Sequence, residues 1–163
     1  MSIVDIRIDD RLIHGQVSNF WIPHLGVQKV LIIDDMIVHD TLRKTALKFG
    51  CPPSVSLTIL SPKIAAEKLL RYADRGARVL ILANSPQQLE ALLKSGYPFT
   101  DITIGNLSNR PNTIPIKKTV YVNQEEIHSL IYLAKKGVRL FAQMVPGEAK
   151  LDFTDTILAL GKE

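Results

Sequence analysis

The chain of 163 residues holds a single cysteine, Cys51. No disulfide can form within it, which fits a reducing compartment. No apolar run approaches the roughly 20 residues that cross a bilayer. The opening stretch Met1-Ser2-Ile3-Val4-Asp5 lacks a basic region followed by a long apolar segment, so the expected location is cytosolic, without a secretory signal. There is no His-x-x-x-His or Cys-x-x-Cys spacing, no Gly-x-Gly-x-x-Gly, no Walker-type loop and no Gly-x-Ser-x-Gly elbow. Metal, dinucleotide, ATP and serine-hydrolase chemistry therefore have no motif behind them. Formal net charge is +4, but the basic pairs Arg43-Lys44, Lys117-Lys118 and Lys135-Lys136 are scattered. Without a basic run or interleaved aromatics, nucleic-acid binding is not expected.

What remains is an ordinary globular composition, 46% hydrophobic and 22% charged, of a length that suits one domain over residues 1–163. Short apolar runs alternate with longer amphipathic segments. Strands are expected at Ile3–Ile8, Lys29–Ile33, Ser56–Ile59, Val79–Leu82, Asp101–Ile104, Thr119–Tyr121 and Arg139–Ala142. Runs such as Val30-Leu31-Ile32-Ile33 are apolar throughout, as strands buried on both faces are. Helices are expected at Gly15–Pro23, Asp35–Phe49, from Ser61-Pro62 to about Arg75, from Ser85-Pro86 to near Gly96, from Asn123 to Gly137, and at Asp152–Leu160. The stretch Asn106 to Pro115 reads as a loop. Repeated βα alternation predicts an α/β fold: a three-layer α/β/α sandwich with a mainly parallel, doubly wound sheet.

His14 is the most informative residue. It lies just past the first expected strand and at the start of the first expected helix, where open α/β sheets collect ligands and where free backbone N–H groups favour an anion. A neutral imidazole there can accept phosphate on a ring nitrogen; the bland alternative is a capping or partly buried structural histidine. Arg11 can grip phosphate oxygens bidentately or pair with Asp9 or Asp10. Asp10 can fix the imidazole tautomer or close an Asx turn. Gly15 admits close backbone approach, Gln16 can donate to phosphate, and the amides around Ile13 to Gln16 can neutralise its charge. His24, His39 and His128 read as surface or capping residues. Asn84-Ser85, Gly105-Asn106 and Gln143 follow other strands and can reach the same sheet edge.

The run Arg7-Ile8-Asp9-Asp10-Arg11-Leu12-Ile13-His14-Gly15-Gln16-Val17 resembles the signature R-I-D-x-R-L-I-H-G-Q-V of IIB subunits in the mannose/fructose/sorbose family of the bacterial sugar phosphotransferase system. Ile104-Gly105-Asn106, Lys118-Thr119-Val120 and Gln143-x-Val145-Pro146 look like its later landmarks. The resemblance implies a phosphocarrier that takes a phosphoryl group from a IIA subunit, holds it on His14 at Nδ1, and passes it to a sugar moving through membrane IIC and IID subunits. It implies Arg11 as the residue steadying the phosphoryl group, a place at the inner face of the membrane through IIC and IID, and no nucleotide or metal cofactor. A homodimer stays open. So do two other classes, a non-catalytic anion-binding module and a regulatory adaptor.

Overall fold

The computed structural model describes residues 2–71 and 76–162. Its frame is a seven-stranded sheet built from β1 (Ser2–Asp9), β2 (Lys29–Ile33), β3 (Ser56–Leu60), β4 (Arg78–Ala83), β5 (Asp101–Asn106), β8 (Arg139–Ala142) and β9 (Leu151–Asp152). The spatial order is β3-β2-β4-β1-β5-β8-β9. All neighbours pair parallel except β9, which runs antiparallel along β8. Strand order reverses around β1, which is flanked by β4 and β5, so the carboxyl end of β1 lies at the switch point of the sheet.

Helices cover both faces. On one lie α3 (Pro62–Arg71), α4 (Pro86–Lys94), α5 (Gln124–Lys135) and α6 (Thr154–Leu160). Their Ala65, Leu89, Leu92, Leu130, Leu133 and Ile157 pack with Ile8, Ile81 and Ile104 of the sheet. On the other face, α1 (Ile22–Leu25) and α2 (Thr41–Gly50) bury Ile22 and Leu47 with Val30, Ile32, Leu80 and Leu82. The alternation along β2 explains its unbroken apolar run: Val30 and Ile32 face one core while Leu31 and Ile33 face the other. The expected three-layer sandwich is what the chain forms.

The differences have local causes. The first helical stretch starts at Gly15 but is π-helical over Val17–Trp21. Pro23 has no N–H to give, and the Ile22 N–H reaches back five residues to Val17 O. The stretch ends at Leu25 with Gly26 left-handed at φ 61°. The helix expected over Asp35–Phe49 is a 3-10 turn, Ile37–His39, followed by α2. Asp40 breaks it by accepting the Arg43 N–H as an N-cap. The strand expected at Thr119–Tyr121 is not in the main sheet. It is β7 (Val120–Val122), paired antiparallel with β6 (Ile114–Lys117) in a separate hairpin, so the stretch read as a loop to Pro115 already enters a strand. Asp152 ends β9 and accepts the Thr154 N–H, so the last helix starts at Thr154. The extension of α3 toward Arg75 lies outside the described residues.

Candidate active site

The site is made by the end of β1 and the tight reversal after it. Asp5, Arg7 and Asp9 alternate onto one side of β1, with Ile6 and Ile8 in the core opposite. After Asp9 the chain turns through Leu12, whose N–H bonds Asp9 O. Leu12 sits at φ 58°, a strained region for a branched L-residue, and complete burial of its side chain holds it there. The reversal brings His14 back over Asp9.

Asp9 is the hub. Its Oδ2 lies 2.8 Å from His14 Nε2 and 3.0 Å from Arg11 Nη2, while Oδ1 accepts the Arg11 backbone N–H at 2.9 Å and Nε at 3.0 Å. Burial works to raise the Asp9 carboxyl, but hydrogen bonds from His14 and Arg11 outweigh it and hold the group below its ordinary value. An ionised Asp9 can only accept, so in this hydrogen bond His14 Nε2 is the donor, and in the neutral ring the lone pair is on Nδ1. Nδ1 meets the Gln16 backbone N–H at 3.3 Å. Arg11 also gives Nη2 to Gln16 Oε1 at 2.8 Å.

This arrangement sorts the expected site residues. His14, Arg11, Gly15 and Gln16 come together, with Ile13 in the reversal beside them. Arg11 is paired with Asp9, as one of its two readings had it. Asp10 is corrected: it does not touch the imidazole. Its Oδ1 accepts from Asn106 Nδ2 at 2.9 Å and its Oδ2 from the Ser108 N–H at 2.7 Å. The pleat aims Asp9 and Asp10 to opposite sides, so Asp10 ties the reversal to the end of β5 while Asp9 takes the tautomer role. Asn106 thereby gains a place beside the site. Gln143 contributes its carbonyl, and Asn84 and Ser85 line a separate cleft with Asp34, Met36 and Gln88.

Residues that motif reasoning left unassigned support the site from below. Arg7 is 1% exposed. Its guanidinium pairs with Asp5 at 3.2 Å, donates to the Gln143 carbonyl, and stacks 3.7 Å from the Trp21 ring centre. Trp21 in turn gives its indole N–H to Met144 O at 2.9 Å. Burial lowers the Arg7 pKa from its usual value, with Asp5 and Asp9 opposing. Gly105 makes room: a Cβ there would fall 2.8 Å from Arg7 Nη2 and 3.5 Å from Asp9 Oδ2. The chain carries one tryptophan, but only the fold shows that it is buried against Arg7.

Among the described residues, no group of three or more His, Cys, Asp or Glu is placed to hold a metal ion, and no helix is long and apolar enough to cross a membrane. The chain matches the family described as PTS system sorbose subfamily IIB component over residues 3–163. It belongs to that family. This IIB chain is 31% identical over 160 residues to the mannose-specific EIIAB component of Escherichia coli (strain K12), covering 96% of itself and 48% of that protein, so it spans about half the length of that relative. It is 29% identical over 157 residues to the fructose-specific EIIB component of Bacillus subtilis (strain 168), with 96% of each covered. The IIBSor domain of the sorbose permease from Klebsiella pneumoniae superposes on it with a TM-score of 0.85 at 28% identity, covering 96% of each chain.

Proposed function

We propose that residues 1–163 form a phosphohistidine-carrier domain. It takes a phosphoryl group from a IIA donor onto His14 Nδ1 and passes it to a sugar held by membrane IIC and IID subunits, at the inner face of the membrane. The observation that carries the reading is the alignment of Asp9, His14 and Gln16. One imidazole nitrogen is held as N–H by a buried carboxylate, and the other keeps its lone pair, met only by the long 3.3 Å contact from the Gln16 N–H, which yields on attack. In the first step Nδ1 attacks phosphorus as the donor's N–P bond breaks. The Nε2–H goes on donating to the Asp9 carboxylate, whose negative charge offsets the positive charge growing on the ring. Phosphoryl transfer depends on positioning and on neutralising the equatorial oxygens. Arg11, poised across Asp9 and Gln16, and the amides of residues 13–16 supply that charge without a metal.

The test is intact mass at alkaline pH, which preserves phosphohistidine, after incubation with phosphoenolpyruvate, the general carriers and the cognate IIA. One added phosphoryl group, absent in His14→Ala, is the expected result. No added mass on a folded protein with an active IIA overturns the carrier reading and favours the anion-binding module.

A further inference from the structure

The three most exposed large apolar side chains among the described residues are Met36, Leu42 and Phe49, at 77%, 82% and 86%. All fall within residues 36–49. Leu42 and Phe49 are seven residues apart on α2, two turns along one line, with Thr45 and Ala46 between them on the same side. Leu47 is the buried residue of this helix and points the opposite way. The helix therefore has two apolar faces. One is seated on the sheet; the other holds Leu42 and Phe49 in solvent along one line.

Two observations say what covers it. First, the stripe runs into the phosphoacceptor loop. Gly50, next to Phe49, packs against Ile13, where a Cβ would fall 3.1 Å from Ile13 Cγ2, and its carbonyl accepts Ser18 Oγ at 2.9 Å. A body that brings a phosphoryl group to His14 has to cover this rim. Second, the charges on α2 itself share one sign, while the exposed acids Asp35 and Asp40 stand before its first turn, beside Met36. α2 carries Arg43, Lys44 and Lys48 and no acid, and Arg11 stands at the site. Such a surface complements a partner bearing a phosphoryl dianion. It disfavours a second copy of this chain, whose twofold contact would set these cations against one another.

We infer that the outward face of α2 is the docking face for the phosphoryl donor, with Leu42 and Phe49 as its apolar anchors and Arg43 and Lys48 as its charged rim. The inference rests on the phosphocarrier reading and adds the surface through which the donor is recognised.

The experiment compares two phosphoryl sources on the full chain. One is the phosphorylated IIA domain; the other is phosphoramidate, which reaches His14 without docking. For Leu42→Asp and Phe49→Asp, both at solvent-exposed positions, the apparent second-order rate from IIA should fall about tenfold or more, the size of losing one interface anchor. The maximal rate at saturating IIA and the phosphoramidate rate should stay at the wild-type values. Lys48→Glu should weaken the salt dependence of the IIA reaction. An unchanged IIA rate overturns the inference, as does an equal loss with both phosphoryl sources, which would place the damage at His14. A wild-type dimer, split by Phe49→Asp while IIA transfer stays unchanged, also overturns it and assigns the face to a second copy. Failure of the wild-type chain to label from either source is a different result, and it overturns the carrier reading itself.

Discussion

Asp9 and His14 face each other at 2.8 Å, Oδ2 to Nε2, across the reversal that Leu12 makes in the left-handed region. The pair sets which imidazole nitrogen carries the proton. It is built from the last residue of a central strand, so its geometry is anchored in the rigid part of the molecule and not in the loop alone.

Replacing the carboxylate tests this division of the two nitrogens. In Asp9→Asn the amide NH2 can turn toward Nε2 and favour the tautomer with the proton on Nδ1, which removes the attacking lone pair. Phosphorylation of His14 should slow by about 10² or more, as when a histidine is held in the wrong tautomer. Phosphoramidate labelling, with circular dichroism to check folding, measures it; a wild-type labelling rate refutes the tautomer assignment.

The same substitution makes a pH prediction with a definite sign. The Asp9 pKa in the folded chain is depressed below the ordinary 3.8. Its stabilisation is therefore complete above that ordinary value and is lost as pH falls through the lower, folded one. Asp9→Asn should remove this acid-sensitive contribution. Urea unfolding at pH 7 and at pH 3 should give a smaller loss of stability in the variant than in the wild type. Equal losses in both proteins would show that Asp9 does not carry the effect.

Arg11 should be essential for transfer and dispensable for folding. Arg11→Ala should slow transfer from IIA by about 10², the loss typical of one charge-stabilising donor. Arg11→Lys should recover little of it, because a lysine lacks the planar fork that spans Asp9 and Gln16. Full recovery by lysine would reduce the role of Arg11 to simple charge.

Gly105 should tolerate no side chain. In Gly105→Ala the new Cβ meets Arg7 Nη2 at 2.8 Å, and the guanidinium is enclosed by Asp5, Gln143 and Trp21. Stability should fall by about 1–3 kcal/mol, the usual cost of overpacking. Denaturant titration reads this directly, and an unchanged midpoint would mean that Arg7 has room to move.

Trp21→Phe keeps an aromatic surface near Arg7 but leaves Met144 O without its indole donor. A loss of about 1–2 kcal/mol is expected for the missing hydrogen bond and weaker stacking, measured by the same titration. No loss would indicate that water replaces the donor.

Much of this was legible in the residues. β2 and β4 announced themselves as doubly buried strands, and Ser85-Pro86 and Asn123 opened helices where they stand. The β6–β7 hairpin was not legible, because Pro115 and the Lys117-Lys118-Thr119 turn carry neither a two-residue hairpin signature nor clean alternation. At the site, the motif marked the loop but not which of two adjacent aspartates would serve it. Period-two alternation from Asp5 through Arg7 puts Asp9 on the functional side and Asp10 away from it. Arg7, Trp21 and Gly105 were beyond local reading, since their contacts with one another, with Gln143 and with Met144 join segments far apart in the sequence.

If His14 is loaded as proposed, the bond from the Gln16 N–H to His14 Nδ1 has a consequence for watching that loading. While the carrier is empty, that hydrogen points at a neutral ring nitrogen over 3.3 Å, a long and weak contact. Once the nitrogen is covalently occupied, the acceptor is gone and the nearest replacement is a charged oxygen, which draws a donor in more tightly. On the proposed phosphocarrier reading, this single backbone proton would be a built-in gauge of loading, its resonance frequency separating the phosphorylated chain from the free one without any label on the sugar or the donor.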